Sequence, residues 1–132
     1  MPYVAIVTVL ALLQYTWFGL MVGRAREKYG IAAPATSGNE VFERHFRVHM
    51  NTLEQLVMFL PVLWIFGYMV SQIWAAGLGV VYLIGRAVYA RAYVRDPKSR
   101  SLGFGLTSVP MLLMLLGILI WSVKALIVAP AA

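Results

Sequence analysis

Four long apolar stretches, separated by short polar segments, account for most of this chain. The first, at residues 3–23, contains no charged side chain. The other three, at about residues 40–70, 73–94 and 103–128, are each near or above the ~20 residues that a membrane-spanning helix needs. The pattern therefore predicts an all-α protein, an integral membrane four-helix bundle that forms a single domain over residues 1–132.

Turn and breaker residues separate these stretches. A connection of two residues, 71–72, joins the second helix to the third, and Asp96-Pro97 is a stop signal that predicts the end of the third helix. Pro61 and Pro110 lie inside predicted helices, where each removes a backbone donor, so we expect kinks at both positions. A cleaved signal peptide is the alternative for the first stretch, but no basic segment precedes it.

Composition supports the membrane assignment and excludes some chemistry. Hydrophobic residues make up 61% of the chain and charged residues 12%, far from the balance of a soluble domain. The chain has no cysteine, so any thiol chemistry must use a thiol brought in from outside. His45 and His49 stand one turn apart without a third ligand at a diagnostic spacing, and we therefore predict no metal site.

The basic residues indicate how the helices are oriented. They cluster around the first and third loops, while the second loop has none, and this distribution predicts membrane topology rather than nucleic-acid binding. The positive-inside rule then puts both basic loops in the cytoplasm and both termini on the other side. The membrane itself is either a bacterial inner membrane or the endoplasmic reticulum. The clustered bases include Arg24, Lys28, Arg91, Arg95 and Lys98.

A charged stripe continues from the first loop into the second apolar stretch. Arg47, Asn51 and Glu54 fall at i, i+4 and i+7 and share one face of a helix. Ionisable side chains at membrane depth are costly unless paired, so their default interpretation is a functional site. Arg47 and Glu54 are two turns apart, and we expect them to pair with charges on neighbouring helices rather than with each other.

Helix three carries a second stripe at a similar depth. Arg86, Tyr89 and Tyr93 occur at i, i+3 and i+7 and combine one cation with two phenols. A structural ion-pair network is the alternative for the arginine, and an interfacial aromatic belt is the alternative for the tyrosines.

The two stripes together suit a small polar ligand. Arginine binds carboxylates bidentately, glutamate can hold an ammonium group, and asparagine can serve amides. Glutathione offers two carboxylates, an amine, two amides and a thiol, although composition alone does not single it out.

The same residues resemble the MAPEG family, the membrane-associated proteins in eicosanoid and glutathione metabolism, which include microsomal glutathione transferases and leukotriene C4 synthase. The resemblance covers essentially the whole chain and rests on three segments. These are Phe42-Glu43-Arg44-x-Phe46-Arg47-x-His49-x-Asn51-x-x-Glu54, Gly85-Arg86-x-x-Tyr89-x-x-x-Tyr93, and Lys98-Ser99-Arg100-Ser101.

This resemblance implies a homotrimer of four-helix subunits that binds glutathione between neighbouring subunits near the cytoplasmic side. Helix two would bind the carboxylate, amide and amine groups of glutathione, and helix three would complete the pocket. The residues implied for these roles are Arg47, Asn51, Glu54, Arg86, Tyr89 and Tyr93.

Four further residues take roles from the resemblance. Arg100 matches an arginine that stabilises the glutathione thiolate, and Ser101 follows it as a second catalytic residue. Arg26 and His49 are implied as further glutathione-binding residues. One departure is Gln55, where several family members have an aromatic side chain.

The implied mechanism can be argued physically. A thiol with a pKa near 8.5 is mostly protonated at neutral pH, whereas the thiolate is the nucleophile. Lowering that pKa by about two units requires roughly 2.7 kcal/mol of preference for the anion. We therefore expect a glutathione transferase, with peroxidase activity toward lipid hydroperoxides as a second expectation. Its hydrophobic electrophile would enter from the bilayer between helices one and four of adjacent subunits.

Three other functions remain open at this stage. A non-catalytic protein of the same family would bind lipid or glutathione without turnover. A small four-helix multidrug transporter has a similar size but needs a glutamate in its first helix, where this chain has no acid. A structural membrane subunit would leave both stripes without a purpose.

Overall fold

The computed structural model describes residues 1–128. These form four α-helices, and no strand occurs in this part of the chain. All four helices are long and apolar enough to cross a membrane, which confirms the predicted all-α membrane architecture. Residues 129–132 of the expected domain lie outside the described range. The helices are α1 (Pro2–Tyr29), α2 (Glu40–Met69), α3 (Gln72–Arg95) and α4 (Ser101–Val128), with a 3-10 turn at Pro97–Ser99 before α4.

The first helix is longer than its apolar pattern predicts. It continues beyond Gly23 to Tyr29, because basic side chains that leave the apolar layer still favour helical backbone when water solvates them. Gly30 ends the helix in the left-handed conformation, with φ 68°, and its N–H donates to the carbonyl of Arg26.

Helices α2 and α3 form the centre of the bundle. Each contacts the other, and both contact α1 on one side and α4 on the other. The main core contains side chains from all four helices, and within it the rings of Phe59 and Tyr82 stack with centroids 3.7 Å apart. The helices alternate in direction, since the start of α2 hydrogen-bonds to the end of α3 through Arg44 and the carbonyls of Val94 and Arg95.

Local signals fix most of the helix ends. The side chain of Asn39 accepts from the N–H of Phe42 and caps α2, and Ser71 caps α3 in the same way. Helix α3 ends at Arg95, directly before the predicted stop signal. Helices α2 and α4 continue without a break through Pro61 and Pro110, and the kinks expected there stay predictions.

Two glycines let α3 and α4 approach closely. A Cβ added at Gly85 would stand 2.6 Å from the backbone carbon of Leu106, and one added at Gly103 would overlap the backbone of Tyr89. Both glycines are buried. The close contact brings the start of α4 against the tyrosines of α3.

Candidate functional site

A polar pocket of about 440 Å³ lies between α2, α3 and α4. It is at the basic end of the bundle, which we define as the end where the N-termini of α2 and α4 and the C-terminus of α3 lie. Each of these three helices supplies two or more side chains to its wall. The lining residues are Arg47, Asn51, Tyr89, Tyr93, Arg100, Ser101 and Phe104.

Helix α2 contributes the charged wall of the pocket. Arg47 and Asn51 line it one turn apart, and Glu54 lies on the same face nearly one turn further along. The Nη1 atom of Arg47 is 4.0 Å from Oε1 of Glu54. The expectation that these two residues would not pair with each other was therefore wrong, because long side chains close the gap between positions two turns apart.

Helix α3 contributes the aromatic wall. The rings of Tyr89 and Tyr93 stack with centroids 5.6 Å apart and planes within 15°. Tyr89 is almost completely buried, so its ring position is set by the packing around it. Gly103 of α4 presses against its backbone.

Arg86 lies behind this wall and does not line the pocket. It is fully buried, its Nη2 donates to Oγ1 of Thr52 at 2.7 Å, and its guanidinium stands 4.5 Å from the ring centroid of Tyr89. Among residues 1–128, Nε and Nη1 of Arg86 have no hydrogen-bond partner. Within one chain Arg86 therefore contacts Tyr89 from behind, and its role in binding glutathione stays a prediction.

The turn between α3 and α4 presents Arg100 and Ser101. Asp96 accepts from the N–H of Lys98 and starts the turn, while the hydroxyl of Ser99 bonds back to the carbonyls of Ala92 and Asp96. Because Ser101 is the first residue of α4, the free N–H groups of that helix's first turn lie beside Arg100. A cation and a helix N-terminus at the same edge favour an anion there.

Two of the predicted residues lie elsewhere. Arg26 donates from Nη1 to the carbonyl of Ala35 at 2.7 Å and stands over the ring of Phe42. His49 stacks on Tyr15 with ring centroids 4.4 Å apart. Neither lines the polar pocket, so within one chain the structure does not bring them together with Arg100.

The sequence matches one known protein family over most of its length. The model of the MAPEG family matches residues 4–120. The chain belongs to the MAPEG family.

Several MAPEG and related sequences are similar over most of their length. An uncharacterized protein of Synechocystis is 45% identical over 125 residues, which cover 92% of this chain and 91% of the relative. Microsomal glutathione S-transferase 2 of Homo sapiens is 40% identical over 116 residues, covering 87% and 79%. Leukotriene C4 synthase of Bos taurus is 36% identical over 96 residues, covering 73% of this chain and 64% of that protein.

This MAPEG membership supports a membrane glutathione-transferase type of function, with glutathione as co-substrate. Within residues 1–128, no group of three His, Cys, Asp or Glu side chains is placed to hold a metal ion. The polar pocket itself is lined by two arginines, two tyrosines, an asparagine, a serine and a phenylalanine.

Sequence reasoning missed two residues of this MAPEG site. Thr52 holds Arg86 and in turn donates to the carbonyl of Val48 at 2.8 Å. Phe104 lines the polar pocket one turn after Arg100. A buried arginine requires an acceptor on a neighbouring helix, but the sequence does not show which residue supplies it.

Proposed function

We propose that this MAPEG protein is a membrane-bound glutathione transferase whose polar pocket binds glutathione and whose Arg100 keeps the sulfur as a thiolate. The observation that carries the proposal is the convergence of two arginines, an amide and two phenols from three helices on one pocket. No single helix could supply this set. Its chemistry matches a peptide with two carboxylates, an amine and a thiol.

The wall on α2 supplies the charge complementarity. Arg47 binds a carboxylate of glutathione, and Glu54, which is 4.0 Å away from it, accepts the ammonium group. Asn51 lies between them in sequence and can pair with a peptide amide. A zwitterionic end of the ligand thereby meets one charge of each sign, which opposes binding in the reverse orientation.

The start of α4 supplies the stabilisation of the thiolate. Arg100 and the free N–H groups of the first turn are positive, and both interact with S⁻ much more strongly than with S–H. The hydroxyl of Ser101 adds a donor at the same edge. These groups favour loss of the thiol proton to solvent and stabilise the thiolate that remains, which is the nucleophile.

The acceptor substrate is proposed to bind next to this edge. An apolar pocket of about 350 Å³ lies between α2 and α4 and shares Phe104 with the polar pocket. Its wall includes Met58, Met111 and Leu112. A hydrophobic electrophile entering from the bilayer beside α4 would meet the thiolate there; the S–C bond forms as the bond to the leaving group breaks.

A second reaction of the same thiolate is the reduction of a lipid hydroperoxide. Two glutathione molecules would be oxidised to the disulfide, and the hydroperoxide would become an alcohol and water. The apolar pocket beside Phe104 supports this proposal, because it admits the lipid tail while the peroxide oxygen faces the sulfur.

Assembly as a homotrimer completes the proposal. Arg47 and Glu54 have side chains that are 55% and 62% exposed in the single chain, and Glu54 lies about 21 Å along α2 from its start. Charged groups at that depth avoid lipid, so a neighbouring subunit would cover them. Such a neighbour would bring its own Arg26 and His49 toward the pocket, with the basic end in the cytoplasm.

The test is conjugation of glutathione to a chlorinated dinitroaromatic by the purified protein in detergent. With a thiol pKa lowered by about two units, Arg100→Ala should reduce turnover about 25-fold at neutral pH and less than about twofold near pH 9, because thiolate then forms without help. Lys98→Ala removes an exposed cation outside the pocket and is the control. Full turnover by Arg100→Ala at neutral pH would remove Arg100 from the mechanism; absence of glutathione binding to the wild type would remove the function.

A further inference from the structure

A second pair of pockets lies along α1. The lower one is between α1, α2 and α3, and the upper one is between α1 and α2. The lower pocket, of about 390 Å³, is mostly apolar and is walled by Trp17, Phe18 and Val48 among others. The upper pocket, of about 560 Å³, is polar and is lined by Arg24 and Lys28. Neither shares a residue with the polar pocket of the proposed glutathione site.

The two pockets adjoin each other. Met21 and His45 line both of them. Along α1 most of the lining positions recur every three or four residues, so they form one stripe on one face of the helix. The stripe consists of Gln14, Trp17, Phe18, Met21, Arg24, Ala25 and Lys28, and Glu27 and Tyr29 line the upper pocket beside it.

The stripe has the length and polarity of one membrane leaflet. From Gln14 to Lys28 it rises about 21 Å, which is close to half of a bilayer including its headgroups. Its lower end is apolar, and there Gln14 does not face solvent freely, because its Nε2 donates to the carbonyl of Leu83 at 2.9 Å and ties α1 to α3. Its upper end is at the basic end of the bundle.

Charge distinguishes the upper end. Three cations line the two pockets, Arg24 and Lys28 above and Arg91 below, against the single acid Glu27. An excess of fixed positive charge at one end of an apolar groove favours a lipid with an anionic headgroup. A zwitterionic lipid gains less from this site, since its own ammonium group meets the same cations.

The two pockets together form a groove along α1. We propose that this groove binds one anionic phospholipid per subunit, with an acyl chain in the lower pocket and the phosphate between Arg24 and Lys28. The observations that carry the proposal are the shared lining of the two pockets, the matched length and the cationic upper end. The lipid would fix the outer face of α1 while leaving the glutathione pocket free.

The experiment is native mass spectrometry of the whole protein released from mixed bilayers of phosphatidylglycerol and phosphatidylcholine. The wild type should retain one phosphatidylglycerol per subunit. Replacing Arg24 and Lys28 together by glutamine should weaken retention about 30-fold, as expected for two cations beside anionic lipid. Replacing Arg95 and Lys98 by glutamine removes the same charge from the same end but outside both pockets, and should leave retention unchanged.

A second variant tests the apolar half. Ala87 lines the lower pocket and is exposed, so Ala87→Phe should fill the pocket without disturbing the core and should reduce lipid retention. Three outcomes would overturn the proposal. The wild type could retain both lipids equally, the two double variants could lose equal amounts of lipid, or glycerophosphate could compete as strongly as the lipid itself. A change of oligomeric mass in Ala87→Phe would also overturn it, by showing that another protein copy occupies the groove.

Discussion

At the residue scale, a buried arginine lies behind the polar pocket without lining it. Arg86 contacts the ring of Tyr89 and donates to Thr52, so it connects α2 and α3 behind the aromatic wall. A buried guanidinium with few partners is costly to leave unpaired. Its one hydrogen bond to Thr52 is therefore important for holding Tyr89 in place.

Thr52→Val should expose the importance of this bond. The substitution keeps the shape of the side chain but removes the acceptor, which we expect to cost about 1–3 kcal/mol of unfolding free energy and to raise the KM for glutathione more than it lowers kcat. Thermal unfolding and steady-state kinetics in detergent measure both effects.

A matched control for Thr52→Val lies on α4. Thr107 is equally buried, but its hydroxyl only bonds back to the carbonyl of Gly103 on its own helix. Thr107→Val should therefore leave the KM for glutathione close to that of the wild type. An unchanged KM in Thr52→Val, with Thr107→Val behaving alike, would mean that Arg86 does not position Tyr89.

Sequence spacing predicts some features of these side chains and not others. The i, i+4 spacings of Arg47 with Asn51 and of Tyr89 with Tyr93 put each pair on one helix face, and both pairs line the polar pocket. They could not predict that Thr52 holds Arg86, since that contact depends on how α2 and α3 are rotated against each other. The separation of Arg26 and His49 from the pocket has the same origin.

At the element scale, the approach of α4 to α3 determines the geometry of the pocket. Arg100 and Ser101 come from the start of α4, whereas the tyrosines come from the end of α3. The two helices meet where Gly103 lies against the backbone of Tyr89. A side chain at this position must push the helices apart and widen the pocket.

Gly103→Ala should therefore be destabilising although alanine is the better helix former. We expect a loss of about 1–3 kcal/mol from overpacking together with weaker glutathione binding, measured by thermal unfolding and isothermal titration. Gly105→Ala is the control, since a Cβ there meets nothing within 4 Å; it should stabilise α4 by up to about 1 kcal/mol. Stabilisation by both substitutions would contradict the close contact.

Helix boundaries show what local sequence can and cannot predict. The stop at Asp96-Pro97 was recognised because both residues act through local geometry. The end of α1 was placed too early, since hydropathy reports where the apolar layer ends rather than where the helix ends. Gly30, in its left-handed conformation, is the signal that marks the true end.

At the scale of the whole molecule, the distribution of predicted glutathione ligands points beyond one chain. Four of them line the polar pocket, whereas Arg26 and His49 lie among α1 and α2 side chains elsewhere. In a closed ring of identical subunits, each chain can offer one face to the preceding neighbour and another to the following one. The proposed trimer would thus build every site from two chains.

Mixed oligomers test this arrangement directly. Arg47→Ala and Arg26→Ala should each abolish most conjugation as pure proteins, one by damaging the pocket and the other by damaging the neighbour's contribution. When the two chains are co-expressed with different tags and purified through both, every trimer is mixed. About a third of the sites are then restored, because one of the three junctions in each mixed trimer combines two intact halves. Activity should recover to a corresponding fraction of the wild type.

The control for this recovery uses two variants from the same half of the site. Arg47→Ala and Asn51→Ala both alter the α2 wall of the polar pocket, so no mixture of them contains an intact site and activity should stay at the level of the single variants. If Arg26 acted within its own chain, the Arg47→Ala and Arg26→Ala mixture would also stay inactive, because every chain would carry one defect. Recovery in the first mixture and not in the second is therefore specific to a site shared between subunits.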